Sequence, residues 1–269
     1  MYHIVVSDLD GTLLNNQHRV SPRTRRTLHR LTEQGIHFIV ATGRHYIDVQ
    51  RIRDALGLDI FLITANGAVV YDKNNRCIYN QTIPPHLAQQ LVEVERRDDI
   101  ELHIYQGDEW LVERESPEQK EIVGEDHFTY RIVDPITLDK ANINKIFYTG
   151  EHDELVELEN RLLQNWGDQL SIAFSTPTCL EAMQKGVHKG NAVKAVLEQN
   201  GYPLSQAVAF GDGMNDREML AMVGHGVVMG NAHSRLKEAL PDLPRAQTND
   251  EDGVAEYLIK LFAEQGIKV

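Results

Sequence analysis

Two short runs hold the aspartates that could do chemistry. Asp8 and Asp10 stand in Asp8-Leu9-Asp10-Gly11-Thr12, straight after the apolar run Ile4 to Ser7. Asp212 and Asp216 stand in Gly211-Asp212-Gly213-Met214-Asn215-Asp216, after Ala207 to Phe210. A spacing of two puts both carboxylates of the first run on one side of an extended chain, and Gly11 lets the backbone turn at once. One such pair is most simply a pair of exposed turn acids. A second cluster behind a second strand-like run shifts the balance, because open α/β sheets place ligands at the carboxyl ends of their strands. If the two strands are neighbours, four carboxylates converge with a formal charge of about −4, which requires a cation. Oxygen ligands with no His or Cys at ligand spacing favour Mg²⁺, which takes one or two carboxylates, waters and substrate phosphate oxygen. The chemistry implied is phosphoryl transfer.

Two further pieces suit an anion. Ala41-Thr42-Gly43-Arg44 closes a second strand and leads towards a helix, so the Thr42 hydroxyl and the Gly43 amide can donate to a phosphate, although an ordinary helix cap would look the same. Lys189 stands at a predicted helix start, a poor place for a cation in the helix dipole unless an anion lies nearby.

The elements that must position these residues follow a βα rhythm. Strands are expected at Ile4 to Ser7, His37 to Thr42 and Ile60 to Thr64. Ser21-Pro22 starts a helix that stops at Gly35, and a second helix fits Ile47 to Leu56. Val69 to Tyr71 and Cys77 to Tyr79 read as a hairpin, and Pro84-Pro85 marks a break. To about Lys185 helices (Leu87 to Arg97, Leu155 to Trp166) mix with strands (Leu102 to Tyr105, Ile146 to Thr149), which suggests an α+β unit with an antiparallel sheet. The βα rhythm then returns with a helix to Gln199, the strand Ala207 to Phe210, a helix at Asp216 to Met222, the strand Gly226 to Met229 and a closing helix from Val254 to Phe262. The organisation expected is an α/β core interrupted by an inserted second domain. Trp110, Tyr105 and His103 fall around a predicted hairpin at Gly107; burial of aromatic area is favoured for them over substrate contact.

The 269 residues are 42% hydrophobic and 25% charged, ordinary for a globular chain and a poor fit to disorder or a fibre. A net charge of −13 argues against nucleic acid or anionic membrane as a partner. Cys77 and Cys179 match no ligand spacing and are read as buried or half-buried thiols without a disulfide. The N-terminus lacks a signal-peptide pattern and no apolar run approaches a membrane span, so a cytoplasmic protein is expected.

At this point the sequence resembles the haloacid dehalogenase superfamily, and within it the Cof-type phosphatases with a cap inserted between motifs two and three. The four motifs occur in order: Asp8-Leu9-Asp10-Gly11-Thr12, Thr42-Gly43-Arg44, Lys189-Gly190 and Gly211-Asp212-Gly213-Met214-Asn215-Asp216. Flanks match too, in Thr64-Ala65-Asn66-Gly67-Ala68 and Met229-Gly230-Asn231-Ala232. The resemblance implies a Rossmann-like parallel-sheet core with helices on both faces over 1–82 and 189–269, and an inserted α+β cap domain over 83–188. It implies Asp8 as nucleophile and Asp10 as general acid and then base. Mg²⁺ would be held by the Asp8 carboxylate, the Asp10 backbone carbonyl and Asp212, with Asp216 supporting. Phosphate would be held by Leu9, Thr42, Gly43, Lys189 and Asn215. The expected activity is Mg²⁺-dependent hydrolysis of small phosphate monoesters such as sugar phosphates or pyridoxal phosphate through an aspartyl-phosphate, by a monomer or weak homodimer. A phosphomutase of the same superfamily and a non-catalytic binder of phosphorylated ligands are the alternatives.

Overall fold

The computed structural model describes residues 1–94, 96–115 and 130–267. Its strands, in chain order, are β1 (Ile4–Ser7), β2 (His37–Ala41), β3 (Phe61–Thr64), β4 (Val69–Tyr71), β5 (Cys77–Asn80), β6 (Glu101–Gln106), β7 (Glu109–Val112), β8 (Tyr130–Ile132), β9 (Ile143–Thr149), β10 (Leu170–Thr176), β11 (Cys179–Gln184), β12 (Ala207–Gly211) and β13 (His225–Val228). The helices are α1 (Pro22–Glu33), α2 (Tyr46–Leu56), α3 (Pro85–Glu93), α4 (His152–Trp166), α5 (Lys189–Gln199), α6 (Arg217–Met222), α7 (Ser234–Ala239) and α8 (Gly253–Glu264).

One sheet has the order β13-β12-β1-β2-β3-β4-β5. Its first five strands are parallel, and the β4–β5 hairpin extends one edge antiparallel. β1 and β12 are buried at every position, the near-continuous apolar run of a strand covered by helices on both faces. α1 packs with α8, and α5 packs with α6. α1 starts where Ser21 and Pro22 predict: the Ser21 hydroxyl accepts from the Thr24 amide at 3.0 Å, and Thr24, Thr27, Leu28 and Leu31 form its buried face. The result is a Rossmann-like α/β core.

The second sheet, β10-β11-β9-β6-β7-β8, carries α3 and α4 with their own apolar cluster around Leu91, Tyr148, Leu158 and Leu180. It is the expected antiparallel sheet except at one edge, where β8 joins β7 in parallel. The helix expected over Leu87–Arg97 starts earlier, with Pro85 in its first turn, and ends at Glu93; Glu95 of that expected span lies outside the described residues. The thiols need one correction: both are free, but Cys77 is exposed and only Cys179 is half-buried.

A third, smaller cluster joins the two sheets: Ala65, Ala68, Tyr105, Trp110, Val112, Phe147, Met183 and Val187. His103, Tyr105 and Trp110 are all buried, so they serve packing. Among the described residues no helix is long and apolar enough to cross a membrane.

Candidate active site

The parallel pairing of β1 with β12 sets Ser7 opposite Phe210, and the Asp8 amide continues the ladder to the Phe210 carbonyl at 3.1 Å. Both acidic runs therefore leave the sheet side by side. Carboxylate oxygens of Asp8, Asp212 and Asp216 lie within 4.8 Å of one another. Gly11 shows how tight the approach is. Its φ is +67°, and a Cβ there would fall 2.3 Å from Asp212 Oδ2, so only glycine satisfies both the turn and the neighbour. Thr12 secures the same partner, its hydroxyl donating to Asp212 Oδ1 at 2.9 Å.

Lys189, fully buried at the start of α5, donates to Asp8 Oδ1 at 2.8 Å and to Asp216 Oδ1 at 2.7 Å. The second Asp216 oxygen accepts the backbone amides of Asp212 and Gly213 at 2.9 and 3.0 Å. Asp216 thus braces the loop and the lysine together. Three carboxylates against one ammonium leave a formal charge of about −2. Burial, opposed by Lys189 but aided by the charges of Asp216 and Asp212, pushes the Asp8 carboxyl well above its usual range. Burial and the Asp216 charge push Asp212 up to about 7. Burial works against the Lys189 charge, but Asp216 and Asp8 outweigh it and hold the ammonium above its ordinary value. Burial is the larger cause of both upward shifts and the excess of carboxylates over ammonium adds to it, while the donors are all hard oxygens. That set fits a divalent cation.

Asp10 does not join this group. Its carboxylate turns to Arg44, which grips it twice, Nε to Oδ2 at 2.7 Å and Nη2 to Oδ1 at 2.6 Å, while Arg44 Nη1 reaches Asp48 at 2.8 Å. His18 Nδ1 stands 3.6 Å from Asp10 Oδ1. Burial alone would raise Asp10, but the Arg44 hydrogen bonds and charge, helped by His18, hold it far below the usual carboxylate range. The expectation that all four carboxylates converge is corrected accordingly: three meet, and the fourth is an ionised partner of Arg44. Sequence reasoning missed His18 and the part Arg44 plays; the basic residue closing Thr42-Gly43-Arg44 was the available signal.

The residues expected to hold phosphate lie on the loops that follow β1, β2 and β12 and at the start of α5. Thr42 is buried at the end of β2, its hydroxyl accepting the Arg44 amide at 3.2 Å. Leu9 is buried in the turn after Asp8. Asn215 donates its side-chain amide to Asn66 Oδ1 at 2.9 Å, and the Gly43 carbonyl accepts Lys145 Nζ at 2.7 Å. Lys145 and Asn66 escaped the sequence reading as site residues. A cavity of about 250 Å³ opens on Asp212, walled by His152, Phe174 and Thr176 from the second sheet's side and by Met214 and His233 from the core.

Comparison with known proteins agrees with this geometry. The haloacid dehalogenase-like hydrolase family matches residues 5–258. The chain is 37% identical over 261 residues to the HMP-PP phosphatase of Serratia proteamaculans strain 568, covering 96% of this chain and 94% of that one. It is 36% identical over 258 residues to the HMP-PP phosphatase of Yersinia enterocolitica serotype O:8, covering 96% and 94%. A haloacid dehalogenase-like hydrolase from Bacteroides thetaiotaomicron superposes with a TM-score of 0.82 at 29% identity, over 97% of this chain and 100% of that one. A match over nearly the whole chain, on top of a paired β1–β12 site with its lysine, places this protein among the haloacid dehalogenase-like hydrolases, as a phosphatase of that family.

Proposed function

We propose that the enzyme hydrolyses small phosphorylated metabolites with Mg²⁺, using Asp8 as nucleophile. The observation that carries this reading is the cluster of Asp8, Asp212 and Asp216 around one lysine, with a residual charge near −2. Asp8 and Asp212 would hold Mg²⁺ with the Asp10 backbone carbonyl, and Asp216 would support them; the ion supplies charge neutralisation for a phosphoryl group. HMP-PP, sugar phosphates and pyridoxal phosphate are the substrates to try first, the first because relatives carry that name.

A divalent cation would offset the burial and the neighbouring charges that raise Asp8 and so favour its carboxylate form, and the acyl phosphate that carboxylate forms is open to attack by water. Lys189 holds Asp8 Oδ1, which orients the other oxygen for attack on phosphorus. The bond to the leaving oxygen breaks, and that oxygen takes a proton from Asp10, which must first leave Arg44 and take up a proton from solvent. Water then attacks phosphorus, gives its proton to Asp10, and releases inorganic phosphate and the Asp8 carboxylate. For the first half, the Arg44 grip on Asp10 must open. An incoming phosphate dianion competes for the same guanidinium. The Leu9 amide, Thr42, Gly43, Lys189 and Asn215 would bind the equatorial oxygens as charge spreads over them.

The surface next to Asp10 would also attract an anionic substrate, despite the net charge of −13. A groove of about 920 Å³ between α1 and α2, lined by Arg19, Arg25, Arg26 and Arg30 among others, ends at His18 and Arg44 beside Asp10. A cleft lined mainly by one sign of charge raises the local concentration of the opposite ion. The decisive experiment is phosphate release from a panel of phosphorylated sugars, vitamers and HMP-PP, with Mg²⁺ and with EDTA. Release confined to the Mg²⁺ arm is expected; turnover unaffected by EDTA, or none in either arm, overturns the reading.

A further inference from the structure

Where the second sheet meets the core, two buried charges from its strands reach across to the loops proposed to grip phosphate. Lys145 on β9 and Glu181 on β11 are each 3% exposed and pair at 2.7 Å, Nζ to Oε1. The lysine also donates to the Gly43 carbonyl at 2.7 Å, and its head lies 4.7 Å from the ring centres of both Tyr105 and Phe147. The second Glu181 oxygen accepts the side-chain amide of Asn66, and Asn66 Oδ1 in turn accepts from Asn215 at 2.9 Å. Asn215 immediately precedes Asp216, which holds Lys189. A Cβ on Gly43 would sit 3.0 Å from Asn66 Oδ1 and 3.4 Å from Glu181 Oε1, so the loop lies close against this junction.

We propose that Lys145 and Glu181 are positioning residues, which set Gly43 and, through Asn66, Asn215 in their phosphate-binding places only while the second sheet is seated on the core. The proposal rests on the phosphatase reading above.

Stability alone does not account for such a pair. A buried ion pair costs desolvation on both sides and is often no better than apolar residues of the same volume. Here the surroundings are already apolar, with Tyr105, Phe147 and Met183 around it, so an apolar pair would fill the space. The charges instead direct hydrogen bonds at one carbonyl and one amide of the core. Asn66 is suited to the middle of the relay because its backbone is fixed, its N–H donating to the Thr42 carbonyl at 2.9 Å and its φ being +54°, a conformation asparagine tolerates. Coupling of this kind delays assembly of the phosphate donors until the sheet closes over the site, so phosphoryl transfer does not begin while the site stands open.

The test separates holding the fold from holding the donors. Glu181→Gln, Lys145→Met, the double variant Lys145→Met/Glu181→Leu and Asn66→Gly, whose backbone accepts the positive φ, are compared with wild type. The readouts are melting temperature, hydrolysis of p-nitrophenyl phosphate with Mg²⁺, and calorimetric affinity for inorganic phosphate with Mg²⁺. Each single variant of the ion pair is expected to melt lower and to lose at least about tenfold in kcat/KM. The double variant, with no charge left unpaired, recovers the melting temperature but stays at least tenfold down in both kcat/KM and phosphate affinity. Asn66→Gly reproduces that loss, and adding it to the double variant costs no more than twofold further, as expected for links in one chain. Recovery of activity together with stability in the double variant overturns the proposal, as does an independent, additive loss from Asn66→Gly. A wild-type protein that neither hydrolyses the ester nor binds phosphate counts against the phosphatase reading itself.

Discussion

Two clusters of buried charge lie a single asparagine relay apart, and they are built to opposite rules. Around Lys189 three carboxylates share one ammonium, and two of the carboxyls, Asp8 and Asp212, are pushed upward, the latter to about 7. Between Lys145 and Glu181 the charges match one to one: the ammonium has the carboxylate, a carbonyl and two aromatic faces, and each carboxylate oxygen has its own donor. The difference is a difference of purpose. A cluster short of positive charge is complete only with something bound, so it is costly alone and reactive when filled. A matched and saturated cluster has no place for another ion, and serves to fix the geometry of what surrounds it.

The comparison breaks most visibly if substitutions at the two clusters behave alike. Asp8→Asn is expected to reduce phosphate release by about 10³-fold or more, because the attacking oxygen is gone. Its melting temperature should not fall, since burial with the Asp216 and Asp212 charges outweighs the support Lys189 gives the lost charge, and Lys189 keeps Asp216 as its partner. Lys145→Met should do the reverse to stability, costing about 3–5 kcal/mol in urea denaturation because it strands the Glu181 charge. Smaller again is Asp212→Asn, expected to stabilise the metal-free protein by about 1–2 kcal/mol at pH 8, where the wild-type carboxyl must ionise against its neighbours. The same variant should no longer gain thermal stability from added Mg²⁺, a gain that in wild type reaches about 2.7 kcal/mol at a hundred times Kd. A fall in stability for Asp212→Asn in EDTA would mean that its charge is compensated after all.

The first cluster was legible in the sequence and the second was not, for a physical reason. Asp8, Asp212 and Lys189 sit at element boundaries in short runs that contain glycine, and although each alone reads as a turn or surface residue, two acidic runs behind two strand-like segments mark a site. The strand pairing that unites them follows from the βα rhythm. Lys145 and Glu181 sit inside strands, where a lone charge reads as the solvent face, and nothing local says that another sheet element covers it. Strand β11 hides for the same reason: Cys179–Gln184 is buried at Leu180 and Ala182 on one face and at Glu181 and Met183 on the other, so alternation is lost. The preceding β10 was missed with it. The parallel joining of β8 to β7 is a long-range pairing that no turn signal announces. Asp10 shows the limit within a motif, since spacing aims its carboxylate at the acid cluster, and only the distant Arg44 turns it away.

One layer behind Lys145 the matched cluster reaches a third titratable group. His103 is stacked on Phe147 at 4.5 Å between ring centres, and the Trp110 ring centre lies 5.9 Å away. The Trp110 N–H can only donate, so His103 Nδ1 accepts it at 3.3 Å and the imidazole proton sits on Nε2, donating to Thr149 Oγ1 at 2.9 Å. Burial, with the Lys145 charge adding to it, lowers His103 to about 3 from an ordinary 6.5. The folded protein therefore refuses a proton that the unfolded chain accepts between those two values. Stability falls as pH drops through 6.5, by roughly 1.4 kcal/mol per unit, or about 2 kcal/mol from pH 7 to pH 5. His103→Gln, which keeps an acceptor for Trp110, should flatten that part of the pH–stability curve. Lys145→Met should flatten it less, because it removes only the smaller of the two causes. The measurement is urea denaturation of the three proteins at pH 7, 6 and 5. Parallel curves for wild type and His103→Gln would show that the buried ring is protonated without penalty, and that the charge balance at the junction does not extend beyond the ion pair.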